Sequence, residues 1–258
     1  MDKIKNLKFK IGILLLLVFI ILIALSLSVY AQQDFSLGGM DLRNKVELKE
    51  LSTPLQLIVF LAFLTVLPFL FIMTTSFMRT IIVLSFLRSA IGTQQVPPNP
   101  VIIGTALFLT IYTMSPVWNE VNTRALQPYM ENRISQATAL ERASIPIKTF
   151  MLKQTGKTEV AFFIRLIKLP QPKTPNDVPI HVVIPAFMVS ELTTAFKIGF
   201  VLFLPFLIID LVVANTLLAL GMMMLSPVTI SMPFKILIFT LSNGWFLVLQ
   251  AIVQSFKY

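Results

Sequence analysis

The chain has 258 residues, of which 56% are hydrophobic and only 13% are charged, with a mean hydropathy of +0.83. About a quarter of the residues of a typical soluble domain are charged, so this composition predicts a membrane protein. The net charge of +9 is spread thinly along the chain without a dense basic block, which argues against nucleic-acid binding. The sequence contains no cysteine, which excludes disulfides, thiolate metal sites and cysteine nucleophiles.

Residues 1–31 have the pattern of a cleavable signal peptide. Four lysines lie within the first ten residues, an unbroken apolar stretch covers residues 11–25, and Ala31 ends a group suited to cleavage. An uncleaved anchor helix is the alternative, because the apolar stretch with its extension to Val29 approaches spanning length. Residues 32–53 are polar and of mixed charge, and we expect them to form an N-terminal segment on the exported side.

Residues 54–118 predict a first helical hairpin. Its first arm begins with 24 uncharged residues, 55–78, and continues on an apolar pattern to Ala90. Pro68 lies inside this arm and predicts a kink that can serve as a hinge. Gly92 and the prolines of residues 97–100 predict a turn, after which residues 101–118 form the second arm.

The rest of the chain divides into a polar insert and a second hairpin. Residues 119–180 carry charges at helical spacing and predict short helices outside the hydrocarbon. Residues 181–258 predict a long arm, a turn at residues 227–233 and a last arm of 21 uncharged residues, 236–256. The predicted fold is therefore an all-α membrane protein with two long kinked helical hairpins joined by a polar helical insert.

The distribution of basic residues conflicts with four simple crossings. A cleaved signal followed by four spans would place the nine basic residues of positions 124–173 in an outside loop, against the positive-inside rule. Some hydrophobic arms can therefore pack against other protein chains instead of lipid.

Four charges lie in or beside apolar runs, where an unpaired charge costs about 2.5 to 3.5 kcal/mol. They are Glu191, Lys197, Asp210 and Lys235. Asp210 and Lys235 can pair between the arms of the second hairpin, and Glu191 can pair with a basic group of a neighbouring subunit. A charge bridge that fixes helix register is favoured over a proton relay, because too few acidic residues cluster to form a proton path.

Three consecutive methionines, Met222, Met223 and Met224, stand between Gly221 and Pro227. The glycine and the proline predict hinges on either side of a loop. Methionine is unbranched and polarisable and fills irregular gaps. By composition alone, the triplet suits either ordinary core packing or a soft closure of an opening.

The sequence lacks the residues that catalysis requires. Residues 156–158, Gly-Lys-Thr, resemble the end of a phosphate-binding loop, but Met151 stands where that loop requires glycine. His181 is the only histidine, which excludes a two-histidine zinc site. We therefore predict that the chain is not an enzyme and needs no cofactor.

Several strings occur in order between about residue 55 and residue 256. In the first half they are MTTSF at 73–77, IIVLS at 81–85, IGTQQ at 91–95 and PPN at 97–99. In the second half they are IPAFMVSEL at 184–192, PFLIID at 205–210, GMMML at 221–225 and SMPFK at 231–235. Together they resemble the FliP family of flagellar biosynthesis proteins, whose injectisome counterpart is the SctR component of type III secretion.

The resemblance implies a core subunit of the flagellar protein export gate, in the bacterial inner membrane at the flagellar basal body. Such subunits assemble into an oligomeric conical channel, with five copies of this chain beside FliQ-type and FliR-type subunits, and much of it lies on the periplasmic side. Unfolded flagellar proteins pass through the channel. Further implied partners are a FliO-type assembly factor, FlhA-type and FlhB-type export proteins, and membrane lipid.

The resemblance also implies roles for particular residues. Met222, Met223 and Met224 occupy the positions of a methionine ring that closes the pore. Glu191 and Lys235 match positions suited to subunit contacts.

Phe150 and Phe163 match less distinctive positions of the same kind. The near alternative is the SctR-type injectisome subunit. A secondary transporter is an alternative of a different class, in which two broken-helix halves would frame a midplane substrate site.

Overall fold

A computed structural model describes residues 53–93, 95–170, 172, 174, 177–222 and 224–257. Over these residues the chain forms helices and turns and no β-strand, which confirms the all-α prediction. The predicted signal peptide, nearly all of the polar segment 32–53, and Met223 lie outside the described residues.

Ten α-helices and one π-helical turn follow one another in the described ranges. They are α1 (Thr53–Thr74), α2 (Phe77–Ile91), α3 (Asn99–Thr113), α4 (Ser115–Val121), the π-helical turn Asn122–Leu126, α5 (Gln127–Met130), α6 (Gln136–Gln154), α7 (Lys157–Leu166), α8 (Ile180–Ala219), α9 (Pro227–Leu241) and α10 (Gly244–Gln254).

The chain divides into two compact units, residues 1–70 and residues 71–258. The described part of the first unit, residues 53–70, belongs to helix α1, whose side chains from Leu57 onward are almost all exposed. Pro68 lies inside α1, and the helix continues past it to Thr74.

The first predicted arm is divided at a point that the sequence analysis did not predict. Helix α1 ends at Thr74 and α2 begins at Phe77, so the arm is not continuous to Ala90. The hydroxyl of Thr75 donates to the carbonyl of Phe71 at 2.7 Å and accepts from the Phe77 N–H at 3.4 Å. Threonine hydroxyls that bond to nearby backbone groups compete with the helical pattern, which accounts for the interruption.

Helix α8 is the central element of the second unit, and α2, α6, α7 and α9 all pack against it. The buried face of α2 repeats at helical spacing, with Val83, Leu87 and Ala90 fully buried. On α8, Val183 and Phe187 are also fully buried. One apolar core therefore joins the first half of the chain to the second.

The predicted second arm, residues 101–118, is bent. Helix α3 ends at Thr113, and the helical segment that starts at Ser115 departs from it by 54°. Pro116 has no N–H to continue the helical bonding across this point, and its ring disfavours a regular helix before it. The arm is thus α3 followed by α4.

Two predictions for the second hairpin are wrong. The predicted turn at residues 227–233 is helical, because Pro227 begins α9 at a position where a missing N–H costs nothing, and Pro233 lies inside the helix. The predicted last arm, residues 236–256, is two helices, α9 and α10, bent by 68°. Asn243 adopts a left-handed backbone conformation at φ +55° between them, a conformation that asparagine tolerates better than most residues.

The predicted polar insert contains helices, as expected. Ser135 caps α6 by accepting a hydrogen bond from the Thr138 N–H at 3.3 Å. Helix α7 follows α6 after a short turn, and both pack against α8.

Two helices in the described ranges, α1 and α8, are long and apolar enough to cross a membrane, and the number rises to four if each bent pair is one span. This range includes the four hydrophobic arms of the sequence analysis and agrees with a membrane protein.

Helices α2 and α8 approach closely at Gly199. A β-carbon added there would lie 2.6 Å from Cδ2 and 2.7 Å from Cγ of Phe86, which is closer than real contacts allow. The Phe86 ring also meets Phe196 and Phe203 edge to face, at centroid distances of 5.0 and 6.4 Å. Glycine at position 199 therefore sets the distance between the two helices.

We expect Gly199→Ala to destabilise the protein, because the base of the Phe86 side chain must move away from α8. Gly104→Ala in α3 is the matched control, since a β-carbon there meets nothing within 4 Å and alanine is favoured over glycine in a helix by about 1 kcal/mol. Thermal unfolding in detergent measures both variants. Equal melting temperatures for the two would contradict a close approach at Gly199.

Candidate functional site

The methionines lie in a loop, residues 220–226, that joins α8 to α9. Gly221 ends α8 in a left-handed conformation at φ +72°. Its N–H donates to the Leu218 carbonyl at 3.1 Å, and the Met222 N–H donates to the Leu217 carbonyl at 2.9 Å. These two hydrogen bonds form a Schellman motif. Glycine is favoured there because it has no side chain to clash at positive φ. Gly221 thus stops the helix immediately before the methionines.

The described methionines of the loop are exposed. Met222 exposes 49% of its surface and Met224 exposes 100%. Several neighbours are also exposed and apolar: Leu218, Leu220, Leu225 and Val228. The tip of the α8–α9 hairpin is therefore an apolar surface that the described residues of the chain leave uncovered.

A partly buried ionic cluster lies below that tip, and it contains the Asp210–Lys235 pair that the sequence allowed; the Asp210 side chain is 33% exposed. Lys235 Nζ is 2.7 Å from Asp210 Oδ2, and the Ser231 hydroxyl donates to Asp210 Oδ1. Lys235 is only 3% exposed and also donates to the Ala90 carbonyl at 3.3 Å. Because that carbonyl lies in the last turn of α2, the lysine additionally stabilises the negative end of the helix dipole.

A second buried ion pair joins α2 to α8. Arg79 Nε donates to Glu191 Oε2 at 2.8 Å, and Arg79 Nη2 donates to Glu191 Oε1, so the contact is bidentate. Arg79 is 2% exposed and Glu191 is fully buried. The sequence allowed Glu191 a basic partner from a neighbouring subunit, and the structure gives it an arginine of the same chain. A role of Glu191 in subunit assembly stays a prediction.

The remaining donors of Arg79 hold the segment that follows α10. Arg79 Nη1 donates to the carbonyl of Ser255 at 2.8 Å and to its hydroxyl at 3.0 Å, and the guanidinium lies 4.0 Å from the centre of the Phe256 ring. The Gln154 amide completes this contact, since it accepts from the Lys257 N–H at 3.1 Å and donates to the Lys257 carbonyl. One arginine thus ties together α2, α8 and the end of α10.

Sequence analysis did not select Arg79, Ser231 or Gln154 as site residues. A signal for Arg79 was present, since it precedes Val83 and Leu87 at four-residue spacing on what becomes the buried face of α2. A charge on such a face needs an opposite charge. No local signal pointed to Ser231 or Gln154.

The described residues contain no group of three or more histidine, aspartate or glutamate side chains that could hold a metal ion. The titratable groups that come together instead form charge pairs with full hydrogen bonding. The arrangement supports helix positions and offers no nucleophile beside a base.

Comparison with known proteins identifies the family. The FliP family model matches residues 60–252. The flagellar biosynthetic protein FliP of Pectobacterium carotovorum subsp. carotovorum is 53% identical over 201 residues, which cover 78% of this chain and 78% of the relative. The chain belongs to the FliP family.

Two distant FliP relatives are similar to nearly the same extent. FliP of Bacillus subtilis is 48% identical over 208 residues, covering 81% of this chain and 94% of the relative. FliP of Aquifex aeolicus is 49% identical over 205 residues, covering 79% and 86%. The resemblance inferred from the sequence strings is confirmed. FliP proteins are structural components of the flagellar export apparatus, so the prediction that the chain is not an enzyme is confirmed as well.

The positions that the FliP resemblance suggested for subunit contacts are mostly buried in this chain. Phe150 is 3% exposed and lies between the rings of Phe187 and Phe256, at centroid distances of 6.1 and 6.4 Å. Phe163 is half-buried against the core beside Phe162. Phe150, like Glu191, is therefore placed to hold helices of one chain together.

We expect Glu191→Gln to destabilise the fold by about 3 to 5 kcal/mol, because it leaves Arg79 charged, buried and without its counter-charge. Glu120→Gln is the matched control, since Glu120 pairs with Arg124 at 3.3 Å on the exposed surface, where such pairs contribute little. Protease resistance in membranes and thermal unfolding in detergent measure both. Similar losses in the two variants would contradict the buried pair as a major support.

Proposed function

We propose that this chain is a channel-forming subunit of the flagellar type III protein export gate and that unfolded flagellar proteins cross the inner membrane through the channel. In this proposal Met222, Met223 and Met224 of each copy contribute to a ring that closes the pore. The observation that carries the proposal is the exposed methionine loop at the tip of the α8–α9 hairpin.

The exposure of the loop favours a seal over core packing. The described residues leave Met224 100% exposed, whereas a core methionine would be enclosed. Flexible thioether side chains from several copies can close against one another and then adapt to a passing chain, because methionine has three rotatable bonds and no branching. Gly221 and Pro227 bound this loop and are its proposed hinges, and Pro68 in α1 stays a proposed hinge in the first arm.

The length of α8 supports an assembly of several chains. A 40-residue helix is about 60 Å long, whereas the hydrocarbon of a bilayer is about 30 Å thick. Exposed apolar residues occur along the whole helix, from Ile180 to Leu218. Even a steep tilt of about 40° leaves more apolar surface than one bilayer covers. Other protein chains must cover the remainder.

The turn between α2 and α3 supports the same conclusion. Two contacts show where the turn lies along α8. Arg79, near the start of α2, binds Glu191, and the Ala90 carbonyl, near the end of α2, accepts from Lys235, which binds Asp210. The turn therefore lies level with Asp210, and its Gln95 and Val96 are exposed. Irregular backbone facing lipid is not tolerated in the hydrocarbon region. In the proposed assembly, neighbouring protein chains cover the turn at that level.

The proposal includes the partners and location that belong with such a gate. We propose five copies of this chain, together with FliQ-type and FliR-type subunits, a FliO-type assembly factor and FlhA-type and FlhB-type export proteins. The assembly lies at the flagellar basal body in the inner membrane, with residues 119–180 and much of the channel on the periplasmic side. The names of the relatives favour the flagellar system over the injectisome.

We expect replacement of Met222, Met223 and Met224 by alanine to raise the leak of small ions through the assembled channel, since shorter side chains leave a wider opening. Met130→Ala is the matched control, because Met130 is 73% exposed on α5, outside the loop. Ion flux from liposomes that contain the assembly measures the effect. An unchanged flux with an intact assembly would count against the seal.

Detergent extraction tests whether the chain acts in an assembly. We expect a large particle of fixed subunit ratio, because α8 exposes more apolar surface than a bilayer covers. Native mass spectrometry measures its mass and composition. A monomer or dimer that takes up small solutes would support the secondary transporter and contradict the channel.

A further inference from the structure

The tip of the α8–α9 hairpin has fewer buried residues than the part of the hairpin below it. Among the described residues of its tip, positions 211–230, Leu217 alone is buried. Gly221, at the end of α8, has open space where a side chain would lie. The contacts within one chain therefore hold the tip less firmly than the core to which it is joined.

Below the tip, one face of the hairpin is packed through aromatic rings, although most of its other side chains are exposed. The Phe206 and Phe239 rings are both buried, with their centroids 6.2 Å apart, and Phe239 meets the Trp245 ring edge to face at 5.4 Å. A β-carbon on Gly244 would lie only 2.2 Å from the Phe239 ring, so α10 begins directly against it. This region cannot shift without disturbing several helices.

The ionic cluster lies at the boundary between these two parts. Lys235 on α9 binds Asp210 on α8 at 2.7 Å and the carbonyl of Ala90 on α2 at 3.3 Å. Ser231, one turn before Lys235, is fully buried and binds the other oxygen of Asp210. Separating the two arms at this point would leave a buried charge without a partner, which is strongly unfavourable.

We propose that Asp210, Ser231 and Lys235 are positioning residues that anchor the methionine loop. Gate opening then moves only the tip, residues 211–230, while the cluster and the helices below it keep their contacts. The inference rests on the proposed function and names the groups that hold the loop in its closed position. Because Lys235 also binds the Ala90 carbonyl on α2, the anchor fixes the position of the loop relative to the core of the chain.

The first test removes the anchor charges in the assembled channel. We expect Lys235→Met to raise potassium release from liposomes by about tenfold while the particle keeps its size, which corresponds to a loss of roughly 1.4 kcal/mol of bias towards the closed loop. Asp210→Asn combined with Lys235→Met should leak to a similar extent. The double variant should fold more readily than Lys235→Met alone, because it leaves no charge without a partner. Wild-type tightness in the double variant, or its failure to assemble, would overturn the anchor.

Arg88→Met is the matched control. Arg88 is also a cation near the end of α2, but its side chain donates its hydrogen bonds to the other side of the α2–α3 turn, to Asn99 Oδ1 at 2.7 Å and the Pro97 carbonyl at 3.3 Å. We expect no added leak from this variant. If Arg88→Met leaked as much as Lys235→Met, the loss of any positive charge near the end of α2 would open the channel. That result would contradict a specific anchor at Lys235.

The second test asks whether the anchor opens during transport. The native chain has no cysteine, so Asp210→Cys with Ser231→Cys in the Lys235→Met background offers a single pair for disulfide formation. The oxidised channel should stay tight and pass an unfolded flagellar protein into inverted membrane vesicles, whereas the reduced channel should leak. If oxidation blocks passage and reduction restores it, the cluster must separate and the proposal is wrong.

The methionine variants distinguish the two proposals. If Met222→Ala with Met224→Ala leaks and the anchor variants do not, the seal stands and the anchor fails. If the methionine variant is tight in an intact assembly, the seal itself fails.

Discussion

Helix α2 packs against α8 in the same direction, and a buried cation holds each end of that contact. Arg79 binds Glu191 at one end, and Lys235 joins Asp210 to the carbonyl of Ala90 at the other. Between them Gly199 allows the helices to approach closely. Buried pairs contribute little net stability compared with apolar packing, but they strongly disfavour any other register because each misplaced charge would be unpaired. The two pairs therefore determine how the first and second halves of the chain align.

That alignment decides what the chain presents to its surroundings. It places the α2–α3 turn level with Asp210, and the hairpin beyond that level is left almost entirely exposed by the described residues. The result is a well-packed body with an apolar tip of low packing that ends in the methionines. Such a combination suits a subunit whose tips meet in an assembly, because the body holds its position while the tips adapt.

Much of the architecture followed from local patterns. Residue composition and helical periodicity predicted an all-α membrane protein with a polar helical insert, and Gly221 and Pro227 predicted a loop around the methionines. The errors have local physical causes that periodicity does not detect. A threonine hydroxyl competes with the backbone at Thr75, Pro227 begins a helix instead of a turn, and Asn243 adopts positive φ in a continuous apolar stretch.

The sequence by itself determined the family, through strings that extend over most of the chain, and it also identified the charges that need partners. Only the tertiary structure decided which partners they have. Arg79 and Glu191 are 112 residues apart, and no local pattern specifies a contact at that separation, since it depends on how α2 and α8 pack. The exposure of Met224 is likewise a tertiary property, because the same side chain in the same loop would have been buried had another helix covered the tip.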